Sequence, residues 1–205
     1  MPIEIRKLTP ALAEDYVRFF DVTPHSERPD SFKCYCVMWC SDNHHLLNRR
    51  FLPSEKIRRE HAVRYVKNDI LQGYLAYCDG KVVGWCNANT KADCLKCFSW
   101  RVGMRSVPTG EADKKIKSIF CFAIAPEMRR QGISSLLLER VCRDAARDGF
   151  DFVEAYPGKE FASEADDFMG PAELYRKNGF TIYTETDDKL VMRKKLEVPQ
   201  CSLPK

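Results

Sequence analysis

The order of elements legible in the chain predicts an α/β fold: a central mixed β-sheet flanked by helices. Three observations carry that expectation. Two apolar runs, YLAYC and KVVGWC, flank Asp79-Gly80, a pair suited to a two-residue hairpin turn that needs positive φ at both centres. The run IKSIFCFAIA (116–125) is apolar on both faces, as in a strand inside a sheet. An amphipathic helix (about 132–148) and the strand-like DFVEAYP (151–157) follow it, and a strand–helix–strand unit implies a right-handed parallel crossover.

Taken in order, IEIRKL (3–8) reads as a strand, and Thr9-Pro10 opens a helix to about Phe20, Pro10 being tolerated in the first turn. Residues 21–72 form a variable tract, irregular up to residue 52 and rich in Pro, His, Cys and aromatic residues. Within it Ser54 can cap a second helix with Ile57, Ala62, Val63, Val66 and Ile70 on one face and Gly73 at its end. After the hairpin, the polar, turn-rich stretch 90–114 reads as a loop. Gly149 stops the crossover helix, 158–170 is a second loop, and Pro171 to Asn178 is a short helix with Gly179 as its cap. TIYTE and KLVMRKK close the sheet as a hairpin.

The 205 residues suit one domain, 1–205, with a substantial core. An apolar share of 44% and a charged share of 30% are ordinary for a soluble protein, and no window approaches the ~20 apolar residues of a membrane span. The N-terminus MPIEIRKLTP is charged and strand-like, unlike a secretory leader, so a cytoplasmic location is expected. The net charge of +4 is dispersed, which argues against nucleic-acid binding; the basic stretch with Arg101, Arg105, Lys114 and Lys115 reads as a solvated face. A polyanionic small ligand remains compatible with it.

Chemistry concentrates in AIAPEMRRQGISSLLLERV (123–141), where an apolar strand turns into a helix. A helix start offers unpaired N–H groups and the positive end of the helix dipole, which together favour phosphate. Gly132 lets a ligand approach the main chain, and Arg129 and Arg130 add charge.

The run Ile124-Ala125-Pro126-Glu127-Met128-Arg129-Arg130-Gln131-Gly132-Ile133-Ser134 resembles the coenzyme A signature of the GNAT superfamily of acyl-CoA N-acyltransferases, whose core reads R/Q-x-x-G-x-G/A after an apolar strand and a Pro. Ser134 stands where that signature has Gly or Ala. Tyr175-Arg176-Lys177-Asn178-Gly179-Phe180 is similar to the family's C-terminal mark, a Tyr shortly before Gly-Phe, and Glu154-Ala155-Tyr156-Pro157 resembles the fifth strand of one branch. The resemblance covers most of 3–20 and 74–195.

It implies a GNAT-like fold and an N-acetyltransferase that moves an acetyl group from acetyl-CoA to a primary amine by direct attack. The N–H groups of Arg129, Arg130, Gln131, Gly132, Ile133 and Ser134 would then hold the pyrophosphate. The pantetheine arm would run between 116–125 and 151–156, with backbone near Phe122, Ala123 and Ile124 at the thioester. A backbone donor aimed at the oxyanion of acyl transfer is worth a few kcal/mol in a dry cleft. By the same resemblance Tyr175 is the expected general acid for the leaving thiolate, the alternative being a ring packed on the sheet. Glu154 is one expected base; an ion-paired carboxylate with water-mediated deprotonation is the other reading.

The ten cysteines are too irregularly spaced for a secreted disulfide framework. Cys34 and Cys36 would share a face of a strand, Cys36 and Cys40 a face of a helix, and Cys94 and Cys97 form C-x-x-C, with His44-His45 near the first group. Packed or free thiols are the expectation, so no metal is assigned, and a tetrahedral zinc site is the alternative. Tyr35, Met38 and Trp39 either wall an acceptor pocket or belong to the core. Acidic residues Glu164, Asp166 and Asp167 would suit a cationic amine.

A small-molecule or peptide amine is therefore the expected partner, with neither nucleic acid nor membrane; the acceptor's identity and the oligomeric state are not legible. The competing reading is a GNAT-like module that binds acyl-CoA without turnover. The lack of any G-x4-G-K-[ST] counts against a nucleotide-phosphate binder such as a kinase.

Overall fold

The computed structural model describes residues 2–23, 33–40, 54–160 and 168–197. The strands are β1 (Ile3–Lys7), β2 (Gly73–Cys78), β3 (Lys81–Thr90), β4 (Ile116–Ile124), β5 (Phe152–Ala155), β6 (Thr181–Glu185) and β7 (Leu190–Lys195). They form a seven-stranded sheet in the order β1-β2-β3-β4-β5-β7-β6. β4 and β5 pair parallel, and every other neighbouring pair is antiparallel. The helices are α1 (Ala13–Val22), α2 (Glu55–Lys67), α3 (Lys91–Cys94), α4 (Phe98–Gly103), α5 (Ile133–Arg147) and α6 (Ala172–Lys177). This is the mixed sheet with flanking helices that the sequence predicts.

Strand alternation distributes the helices. Trp85 on β3 packs edge-on against Tyr16 of α1, with centroids 4.7 Å apart. Its neighbour Gly84 faces the other way, where an added Cβ would lie 3.2 Å from Ile133 of α5. The core thus has two layers, one on each side of the sheet. α5 makes the crossover between the parallel strands, burying Ile133, Leu137, Leu138, Val141 and Ala145 along one stripe.

The hairpin turn is as expected: Asp79 and Gly80 both have positive φ, 48° and 75°, and Cys78 pairs with Lys81. The end of α2 is not. Ser54 caps it, its Oγ accepting from the Ile57 N–H at 3.4 Å, but the helix stops at Lys67, and Asp69 turns the chain with φ 54°. Gly73 instead begins β2, because a Cβ there would sit 2.2 Å from both the Cys86 carbonyl oxygen and the Trp85 ring.

The stretch 90–114 also departs from a plain loop. β3 runs on to Thr90, and α3 and α4 follow, α4 being capped by the Cys97 thiol, which accepts from the Trp100 N–H at 3.4 Å. Cys94, Cys97, Trp100, Met104 and Val107 are buried there, so this polar-looking segment closes part of the core.

One irregularity shapes the middle of the sheet. Asn87 on β3 faces Cys121 and Ala88 faces Ile119, which leaves Phe120 as an extra residue on β4, a β-bulge. Pairing of β4 with β5 ends at that level, its last pair being Ile119 with Ala155. Beyond it β5 ends, so among the described residues half of β4 has no neighbouring strand on its β5 side.

Candidate active site

The opening beside β4 and the start of α5 lie one after the other along the chain. Between them Pro126–Met128 form a 3-10 turn. Arg130 then takes φ 61° and Gly132 φ 79°, so the main chain coils left-handed twice before α5 begins. No side chain caps α5, and a Cβ on Gly132 would meet nothing within 4 Å. The first N–H groups of a long helix thus have no side-chain cap and Gly132 beside them is open, an arrangement suited to an anion. Arg130, Gln131 and Gly132 are exposed, Arg129 and Ser134 half-buried, and Ile133 anchors the turn in the core. Arg129 Nε donates to the Ile124 carbonyl at 3.3 Å, tying the loop to the end of β4.

Along β4, Ala125 N–H donates to Val83 on β3 at 2.9 Å, and Phe122 N–H points the other way, into the opening. Strand alternation gives Ile124 the same sense as Phe122, whereas the main chain of Ala123 faces its partner Trp85. Of the three residues expected at the thioester, Phe122 and Ile124 thus direct backbone donors to the opening and Ala123 does not. The Phe122 N–H is engaged by the Phe168 carbonyl at 2.7 Å.

Tyr175 sits beneath this opening, fully buried, its ring 6.5 Å from that of Phe122 and 5.4 Å from that of Phe180. Its hydroxyl donates to the Met169 carbonyl. Burial raises the phenol well above its ordinary range, so it holds its proton more tightly than a free tyrosine.

Glu154 is buried and bound on both oxygens. Lys91 Nζ donates to Oε1 at 2.5 Å, and Arg193 Nε donates to Oε2. Arg193 also reaches Glu111 at 2.7 Å. Burial lowers the pKa of Lys91, and the adjacent Glu154 carboxylate opposes that shift. This is the ion-paired arrangement; the geometry gives Glu154 no free oxygen with which to take a proton from an amine. The sequence signal for its partners was faint: Lys91 and Arg193 alone reveal nothing until the fold brings the start of α3 and the strand β7 to β5.

Next to this network an aromatic slab covers the face of the sheet that α1 occupies. Trp39 stacks on Phe120 at 4.4 Å, Phe120 on Tyr156 at 5.7 Å, and Trp100 stands edge-on to both. The Tyr156 hydroxyl lies 2.6 Å from Ser118 Oγ. Trp39 and Tyr35 are buried core residues, and only Met38 of that trio is partly exposed.

The described cysteines are free and mostly buried, the packed thiols expected, and those at 34, 36 and 40 sit on neither a strand nor an α-helix. Tyr35 and Cys36 both take left-handed φ (46° and 48°), and residues 37–39 form a 3-10 turn. Cys36 accepts from Trp85 Nε1 at 3.3 Å and lies against Cys121, while Cys97 caps α4. Among the described residues no three His, Cys, Asp or Glu side chains gather as a metal site requires. His44, His45, Glu164, Asp166 and Asp167 lie outside the described residues. No described helix is long and apolar enough to cross a membrane.

Comparison with known proteins agrees with this geometry. Residues 70–182 match the family model described as "Acetyltransferase (GNAT) domain". No curated protein matches the chain. Among solved structures, a GNAT-family acetyltransferase from Streptococcus pneumoniae superposes with a TM-score of 0.54 at 18% identity, over 96% of this chain and 100% of that one. The PaiA N-acetyltransferase of Thermoplasma acidophilum, in complex with coenzyme A, gives 0.54 at 17% identity, over 95% and 99%. An N-acetyltransferase from Staphylococcus aureus gives 0.51 at 13%, over 96% and 100%. These neighbours share the fold, and the family match spans more than half of the chain; the protein belongs to the GNAT acetyltransferase family.

Proposed function

We propose that the protein, acting as one domain in the cytoplasm, is an N-acetyltransferase that takes acetyl-CoA as donor and a primary amine, small-molecule or peptide, as acceptor. The observation that carries this reading is the parting of β4 from β5 at the Phe120 bulge, with the uncapped start of α5 at its mouth. A slot edged by backbone donors and ending at an anion-binding helix start fits a long amide-bearing arm with a pyrophosphate at one end. Acetyl-CoA supplies the acyl group already activated as a thioester.

In this reading the N–H groups from Arg129 to Ser134 hold the phosphates, with Arg129 and Arg130 adding charge. Phe122 and Ile124 N–H groups orient the acyl end and oppose negative charge developing on its oxygen. Tyr175 delivers a proton to the departing sulfur. The amine loses its proton to water, since Glu154 is neutralised by Lys91 and Arg193.

A binding-only role has its own support: the Tyr175 hydroxyl and Phe122 N–H are both satisfied within the chain. Calorimetry of acetyl-CoA against the wild type and Gly132→Asp tests the donor site. Binding weakened at least about tenfold by the added carboxylate, roughly 1.4 kcal/mol, is the expected outcome. Absence of binding by the wild type would sink the reading. Incubation with a panel of amines then separates catalysis from binding, coenzyme A release being followed by chromatography because ten cysteines would consume thiol reagents.

A further inference from the structure

Three successive residues, Phe168, Met169 and Gly170, lie against the open side of β4. The Phe168 carbonyl accepts from the Phe122 N–H at 2.7 Å. The Met169 carbonyl accepts from the Tyr175 hydroxyl. Gly170, at φ 82°, packs so closely that a Cβ would lie 3.3 Å from both the Phe122 ring and the Leu174 side chain. One short segment therefore satisfies two of the groups that acyl transfer would need at this end of the slot.

We propose that Phe168–Gly170 is a built-in occupant of the acyl end of the slot: coenzyme A binds as the segment withdraws, and the same withdrawal frees the Tyr175 hydroxyl. The inference rests on the coenzyme reading above. A strand N–H in a buried site donates to one acceptor at a time, so the Phe168 carbonyl and a carbonyl of the ligand compete for Phe122. In the empty protein the segment spares a buried N–H and a buried phenol the penalty of having no partner. Tyr175 is then a latch while the slot is empty and a proton donor once it is filled. Affinity for the coenzyme is reduced by the fraction of molecules in which the segment is seated.

That double role makes an unusual prediction. Removing the Tyr175 hydroxyl takes a hydrogen bond from the seated state, which shifts the seated-to-withdrawn ratio by about 3- to 10-fold. Tyr175→Phe should bind coenzyme A that much more tightly while turning over more slowly; loss of a proton donor alone would leave affinity unchanged. Gly170→Ala, which crowds Phe122 and Leu174 at a left-handed φ, should tighten binding too and does not touch the hydroxyl.

The experiment pairs calorimetry of free coenzyme A with amide hydrogen exchange at Phe122 on the full chain. Slow exchange at Phe122 in the free wild type, faster exchange in both variants and tighter coenzyme A binding by both are the supporting result. Rapid Phe122 exchange in the free wild type overturns the proposal whatever binds. Unchanged or weaker coenzyme A binding by both variants overturns it as well. Slow exchange with no coenzyme A binding by any of the three proteins overturns the coenzyme reading itself, and the gating role with it.

Discussion

Glu154 shows how burial changes the meaning of a residue. Its carboxylate lies between Lys91 and Arg193 with all three side chains buried, and Arg193 passes the charge outward to Glu111 at the surface. Removing one partner from such a set strands the others, a cost of about 3–5 kcal/mol. Glu154→Ala is therefore expected to lower unfolding stability by that order in urea. Combining it with Lys91→Met should recover part of the loss, because one stranded charge is gone. A general base would behave differently: the fold would survive at full stability and only turnover would fall. The sequence carried the signature residues of the joint, Arg129 to Ser134, and the Tyr175 position, since both sit in local motifs. It did not carry the state of Glu154 or Phe122, whose partners come from positions as distant as 91, 193 and 168, nor that of Tyr175, whose partner Met169 is near in sequence but offers only a backbone carbonyl, which no residue type marks.

Among the elements, the clearest lesson comes from Gly73. As a helix stop it would have been needed for a left-handed φ; as the first residue of β2 it lies under the Trp85 ring and against the Cys86 carbonyl. A backbone oxygen 2.2 Å from the new Cβ cannot give way as a flexible side chain would. Gly73→Ala should cost several kcal/mol or prevent folding, in the upper range of about 4–5 kcal/mol seen for single substitutions. Gly103, at the end of α4 with nothing near and no positive φ, is the control; Gly103→Ala should be neutral or stabilise by up to about 1 kcal/mol. Thermal melts of the two variants side by side check both. Elements with strong periodicity or turn chemistry were legible: the Asp79-Gly80 hairpin, β4, α5 and the closing hairpin. α3 and α4 were not, because they are too short for a helical period to register, and α4 is started by a thiol, Cys97, in place of the usual oxygen cap.

At the scale of the whole molecule, the buried thiols set the response to alkali. Burial pushes Cys86 and Cys94 well above the ordinary range, and Cys97 and Cys142 to about 11. Unfolded thiols release their protons near 9. Because the folded state holds protons that the unfolded chain has lost, the stability they supply is complete below pH ~8.5 and drains away as pH rises toward 11. Lys117 works in the opposite sense: burial lowers it from 10.5 to about 8, so it adds stability between those values. Four thiols outweigh one amine. The melting temperature in reducing buffer should fall between about pH 8.5 and 10.5, and Lys117→Met should steepen that fall while raising stability near neutrality. A flat or rising profile would contradict the burial of these side chains. The overall architecture was readable because it follows from element order and handedness; the point where the sheet opens was not, since a bulge leaves no mark in an apolar run.

The extra residue at Phe120 has a consequence for how such a slot can be lost. The opening is carried by chain length, one residue more on β4 than β3 can match, so it needs no upkeep by side chains and survives their replacement. A single in-frame codon deletion at that point would remove the bend that β4 makes where its pairing with β5 ends. The product would have lost the opening together with the Phe120 ring on which Trp39 and Tyr156 stack, a change reached in one genetic step that no survey of point substitutions would sample.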